Sequence, residues 1–136
     1  MDVLEWVPAM ELGHPALDEA HKALFHEMMR LYVAPDSELA EGLPLLCDKL
    51  ERDFREEEDL MEAMDAPHMK EHREQHARVL SALHHVEAGE PAAAREAVML
   101  LPQWFQLHLA TMDRSLAAFA SASGMQKREN GGYATL

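Results

Sequence analysis

The sequence predicts an all-α protein folded as an antiparallel up-down-up-down four-helix bundle, and three observations predict it. Apolar residues recur at three- and four-residue steps along the first two of four long stretches, the stripe of an amphipathic helix. Clusters of Pro, Gly and Asp separate those stretches by only a few residues, and short connections favour antiparallel neighbours. No stretch shows the two-residue alternation of a half-buried strand, and no internal repeat is present.

The first helix is expected from Leu17 to about Leu31, where Leu17, Ala20, Leu24, Phe25, Met28 and Leu31 share one face. Ala34-Pro35-Asp36-Ser37 ends it. Gly42-Leu43-Pro44 offers a new start, because proline needs no amide partner in a first helical turn. The second helix then runs to about Met64 with the stripe Leu46, Leu50, Phe54, Glu57, Met61 and Met64. Glu57 interrupts an otherwise apolar row, and a carboxylate facing a core needs a partner. Asp65-Ala66-Pro67 resembles a helix N-terminal signal, so the third helix is expected from Pro67 to about Ala88, closed by Gly89. Glu90-Pro91 opens the fourth, which is expected to reach about Ala120. Pro102 inside it removes one backbone hydrogen bond and predicts a kink costing about 3 kcal/mol if uncompensated; the alternative is a fourth helix starting near Pro102. Beyond Ser123 the polar, glycine-bearing tail GMQKRENGGYATL is expected to be mobile, leaving 1–123 as the bundle and 124–136 as a C-terminal tail.

At 136 residues the chain suits one domain with one core, and 48% apolar residues suffice to pack it. A formal charge of −13, from 25 acidic and 12 basic residues, would repel nucleic acid and anionic membrane surfaces, so neither is expected as a partner. The single cysteine, Cys47, has no internal disulfide partner and suits a reducing compartment. The start MDVLEWVPAM lacks a signal-peptide pattern, and no apolar run approaches the ~20 residues that span a bilayer. A cytoplasmic location is the expectation.

Chemistry concentrates in His21, Asp53, Glu57, His72, His76, His108 and Asp113, spread over all four helices. Imidazoles and carboxylates about one turn apart can converge inside a bundle and hold metal. His72 and His76, in HREQH, are spaced i, i+4, as are Asp53 and Glu57 in RDFREEEDLM. Each pair alone reads as readily as a solvated face. His108 and Asp113 are i, i+5, about 140° apart on an ideal helix, so both reach inward only across a seam or through a local distortion. Glu57 and His72 lie at similar depth from the turn joining their helices, which puts the candidates in one layer across the bundle. Ten methionines, Met28, Met29, Met61, Met64 and Met112 among them, are read as core filler. Phe25, Phe54, Trp104 and Phe105 are read as core that also shields the layer. His14, His26, His68, His84 and His85 receive no role, and Cys47 is read as a small core residue.

These residues resemble the single-domain bacterial hemerythrins, and the resemblance covers nearly the whole chain. Its pattern is carried by Trp6, by LDEAHK with His21, by Phe54, Glu57 and Met61 on the second helix, by His72 and His76, and by Trp104, His108 and Asp113. One position departs: Asp53 stands where that family has histidine. The resemblance implies two non-haem iron ions with an oxo or hydroxo bridge. By the same resemblance His72, His76 and His108 would hold one iron, His21 and the Asp53 position the other, and Glu57 and Asp113 would bridge them. Glu58 and Asp18 are candidates to orient the ligands from behind. The implied ligand is dioxygen or another small diatomic or peroxide ligand, for carrying, buffering or sensing oxygen. A redox enzyme acting on peroxide, oxygen or nitric oxide is the alternative, and an interaction domain with degraded metal binding is a third class.

A third carboxylate at Asp53 lowers the charge of a diferrous site by one and favours the ferric state. Faster oxidation in air is therefore expected than for a site with histidine there. Aspartate is also shorter than histidine, so the second position either shifts, binds through water, or loses this ligand and fills partly.

Overall fold

The computed structural model of the chain describes residues 5–87, 90–123, 125–127 and 133–135. A 3-10 turn at Pro8–Met10 precedes α1 (Pro15–Val33); a second, Asp36–Glu38, leads into α2 (Leu39–Met64). After α3 (Met69–Glu87) comes a fourth rod of α4 (Pro91–His108), a π turn (Leu109–Asp113) and α5 (Arg114–Ser123). Each rod packs on its sequence neighbours, and α1 also packs on α4, closing the antiparallel bundle that the apolar stripes predict. Among the described residues no helix is long and apolar enough to cross a membrane.

Both ends of α1 have a local cause. The imidazole of His14 caps α1 by accepting at Nδ1 from the Leu17 N–H at 3.3 Å, which gives one of the unassigned histidines a structural role. Asp18 accepts from the N–H groups of Leu12 (2.7 Å) and Gly13 (3.1 Å), so it fastens the loop before α1 and does not stand behind a ligand. At the other end of α1, Arg95 donates to Asp36 Oδ1 (2.7 Å) and to the carbonyls of Leu31 (3.2 Å), Tyr32 (3.1 Å) and Ala34. It thereby gathers the last carbonyls of α1, of which Leu31 O also accepts from the Ala34 N–H at 3.2 Å, and ties α4 to α1.

Several boundaries differ from the sequence reading. The second helix begins at Leu39, not Pro44, and Pro44 lies within its second turn. Gly42 is a contact and not a break: it is buried, and an added Cβ would overlap Leu31 Cδ2, so its lack of a side chain lets α1 and α2 approach closely. Asp65-Ala66-Pro67 closes α2; it does not open α3. Asp65 adopts a left-handed conformation (φ 52°), and the Ala66 N–H reaches back to Met61 O at 2.9 Å. The third helix starts at Met69, and its expected end at Ala88 and Gly89 lies outside the described residues. Pro102 is buried inside a rod that is helical on both sides, so the fourth helix begins at Pro91 and not near Pro102. In the expected tail, β1 (Met125–Lys127) pairs antiparallel with β2 (Tyr133–Thr135), Gln126 opposite Ala134. Three-residue strands are too short to carry a readable alternation, which is why none was expected there.

The apolar interior has two unequal parts. The larger runs from Met10, Leu24 and Phe25 through Leu43, Leu50, Val98 and Phe105 to Leu109. The smaller comprises Leu17, Leu60, Met61, Ala66, Leu116, Ala117 and Ala120. The seven buried polar or charged residues among those described are His14, His21, Glu57, His72, His76, His108 and Asp113, and the last six form a layer between the two parts.

Candidate metal centre

All four rods feed this layer. α1 supplies His21, α2 Glu57, α3 His72 and His76, and the fourth rod His108 and Asp113, each at most 4% exposed. One donor atom each from Glu57, His72, His76, His108 and Asp113 falls within 4.8 Å of the others.

The π turn resolves the awkward spacing of His108 and Asp113. Within it the Arg114 N–H bonds Leu109 O five residues back, so five residues occupy about one turn. Both side chains then face the layer: Asp113 Oδ1 lies 3.3 Å from His108 Nε2. The distortion adds one residue without breaking the rod, which is how the sequence reconciles a long helix with an i, i+5 pair.

Nitrogen atoms meet where their protons would otherwise conflict. His108 Nε2 is 3.2 Å from His72 Nε2 and 3.1 Å from His76 Nε2, and Asp113 Oδ1 is 3.0 Å from His72 Nε2. Two donors at right angles on one ion, each about 2.1 Å away, stand about 3.0 Å apart. The observed separations match that edge length. Although Asp113 lies this close to two imidazoles, neither of its oxygens makes a hydrogen bond; nor do Glu57 Oε2 and both nitrogens of His21. Buried polar atoms without partners cost about 1–3 kcal/mol each, and metal bound in the layer would satisfy the two carboxylates and one nitrogen of His21. The donor set fits a transition ion that takes nitrogen and oxygen together.

The two carboxylates also address the opposite side of the layer. Asp113 turns Oδ2 toward His21 Nε2 at 3.4 Å while Oδ1 faces His72 and His108. Glu57 Oε1 lies 3.6 Å from His21 Nε2 and 3.9 Å from His76 Nε2. Asp53, one turn before Glu57, is not in the convergent set: its Oδ2 lies 3.5 Å from Lys49 Nζ.

Neighbouring side chains fix the rings. His76 Nδ1 is 3.0 Å from Glu58 Oε2 and His108 Nδ1 is 2.8 Å from Gln75 Oε1, so each ring donates backward and turns Nε2 inward. Phe54 stacks on His76 at 3.8 Å with an interplanar angle of 1°, Trp104 stacks on His108 at 4.8 Å, and Phe105 meets His21 edge-on. Glu58 thus stands where the sequence reading placed a candidate. Two residues lie outside the sequence reading: Lys49, which precedes Asp53 by one turn and is signalled by that spacing, and Gln75, whose contact with His108 crosses between rods and leaves no local signal.

Charge in the layer follows burial and contact. Burial, then the charges of His72 and His108, push His76 down to about 2, leaving it a neutral nitrogen donor. Burial, reinforced by Asp113, raises Glu57 to about 7 despite His21. For Asp113 burial acts upward, but His108, His72 and His21 outweigh it and hold the carboxyl below the usual carboxylate range. Burial likewise opposes a charge on His21, yet Glu57 and Asp113 raise it to about 9. Asp53 is raised by burial, against the pull of Lys49.

A curated relative from Ralstonia nicotianae named Bacteriohemerythrin is 32% identical over 133 residues, spanning 95% of this chain and 97% of the relative. No protein-family model matches the chain, and no solved structure matches it significantly.

Proposed function

The chain belongs to the bacteriohemerythrin family, and from that premise we propose that it is a non-haem di-iron protein binding dioxygen or a related small ligand. One observation carries the reading: His72, His76, His108 and Asp113 Oδ1 converge at ion-sharing distances, while Asp113 Oδ2 and Glu57 extend to an otherwise unpartnered His21. His72, His76 and His108 would hold one iron, and His21, with Asp53 if it turns inward, the other. Glu57 and Asp113 would be shared. When bound, the irons supply reversible one-electron chemistry and an open position for a small ligand. The chain's own part is to keep His76 neutral, to orient His76 and His108 through Glu58 and Gln75, and to wall the layer from water with Phe54, Trp104 and Phe105.

The test is anaerobic reconstitution with ferrous salt, metal analysis, and visible spectra before and after admission of oxygen. Two irons per chain and a new absorption band that fades on deoxygenation are expected; a colourless, empty protein would defeat the proposal. Asp53 favours a second reading, a redox enzyme, because an added carboxylate favours ferric iron. Air oxidation of the ferrous protein is then expected to be faster than that of Asp53→His, and equal rates would remove this reading's support. Turnover of peroxide with a reductant separates enzyme from carrier.

A further inference from the structure

The two sides of the polar layer are not equally prepared, and the difference lies at Lys49. On one side, five donors stand within 4.8 Å of one another without any help from Asp53. Glu58 and Gln75 anchor two of their rings from behind. On the other side His21 is 3% exposed and neither of its nitrogens makes a hydrogen bond, although Nε2 faces Asp113 and Glu57 at 3.4 and 3.6 Å, so a buried donor stands ready there. Asp53 shares the inward face of α2 with Glu57, one turn earlier, and its Oδ2 is buried without a hydrogen bond. That oxygen is held instead by Lys49, 3.5 Å away, through side chains only 14% and 23% exposed.

A bland role for this pair is helix support. Acid-before-base is the favourable order along a helix, and here the base precedes the acid, so that role accounts for it poorly. A covered lysine beside a buried carboxylate oxygen does something else: it occupies the one carboxylate that the His21 side would not share with the other position, since Glu57 and Asp113 face both. We infer that Lys49 is a positioning residue that competes with metal for Asp53, so that the two metal positions fill in order, the His72/His76/His108 position first and the His21 position only as Asp53 exchanges Lys49 for the ion. No bond is made or broken apart from this exchange of partners. The inference rests on the di-metal reading above.

Titrating the metal-free full chain with cobalt(II) under argon, by calorimetry and by the visible d–d bands, tests it. The parent protein is expected to take two equivalents in two resolved steps, the second at least tenfold weaker. Lys49→Met should tighten the second step at least tenfold and leave the first within twofold; Lys49→Arg should keep the parent pattern. Lys49→Gln provides the same comparison should Lys49→Met fold poorly. Asp53→Asn should abolish the second step and retain the first. In Asp53→His the second step should tighten, and adding Lys49→Met should then change nothing further. Two equivalents filling with equal affinity in the parent, or a second step unmoved or weakened in Lys49→Met and Lys49→Gln, would overturn the role of Lys49 alone. Failure of the parent to bind any cobalt would overturn the di-metal reading along with it.

Discussion

Removing the metal should cost the protein much of its thermal stability, and the cost can be traced to particular atoms. Both nitrogens of His21, Glu57 Oε2 and both oxygens of Asp113 are buried with no hydrogen-bond partner. An ion takes only one nitrogen of an imidazole, so four of these atoms would be satisfied on binding, and at the low end of the usual penalty, roughly 1 kcal/mol each, the empty layer costs about 4 kcal/mol. Unfolding entropy scales with length, and for 136 residues it is about 0.3 kcal/mol/K. The metal-free protein should therefore melt about 13 °C below the loaded one. Differential scanning calorimetry on chelator-treated and ferrous-reconstituted samples at the same pH, under argon, measures the difference. His72→Ala, which removes one nitrogen of the convergent set, should melt near the metal-free value with or without added iron. A difference below about 3 °C in samples whose metal content has been verified would refute the idea that these atoms share an ion.

In the metal-free protein, stability should fall as pH rises from 7 to 9. Against burial, Glu57 and Asp113 hold His21 up to about 9, so its contribution is complete below about pH 6.5 and disappears through about pH 9, an effect of up to about 3 kcal/mol. Melts of chelated protein across that range would show it; metal loading should reverse or flatten the trend, because ions bind deprotonated ligands. Glu58→Ala should weaken the first metal step by about tenfold while leaving the circular dichroism spectrum unchanged, since it frees His76 Nδ1 without touching the core. Gly42→Val should destabilise the fold by about 1–3 kcal/mol, readable as a lowered denaturant midpoint at unchanged slope, because its side chain would meet Leu31.

Most of the bundle was legible in the sequence because its rods are long and their apolar steps regular. The stripe from Leu17 to Leu31 and the row from Leu46 to Met64 both lie in the helices that contain them. The errors fall where one residue type has two uses. Gly42 and Pro44 look like punctuation, yet Gly42 serves a close helix contact, which depends on Leu31 of another rod and leaves no local trace. Asp65 looked like an N-terminal cap and instead takes the left-handed position that ends α2. For the centre, i, i+4 spacing found His72 and His76 directly. The His108–Asp113 pair required a distortion that the spacing demanded but did not locate. Asp53 was legible as a departure; the structure adds the contact that holds it, Lys49.

The unequal apolar parts on either side of the polar layer have a consequence for how the molecule comes apart. The lesser part, seven residues around Leu60 and Leu116, is small for an independent cooperative unit. Metal held by donors from all four rods would rivet it to the greater part, whose far end Arg95 already laces shut. Once the rivet is drawn, that end should breathe on its own, with amide exchange quickening at Leu60 and Leu116 while Leu43 and Val98 stay protected. The turn at Asp65–His68 would then offer proteases a foothold on empty chains that filled ones deny, so iron content would govern lifetime as well as ligand binding.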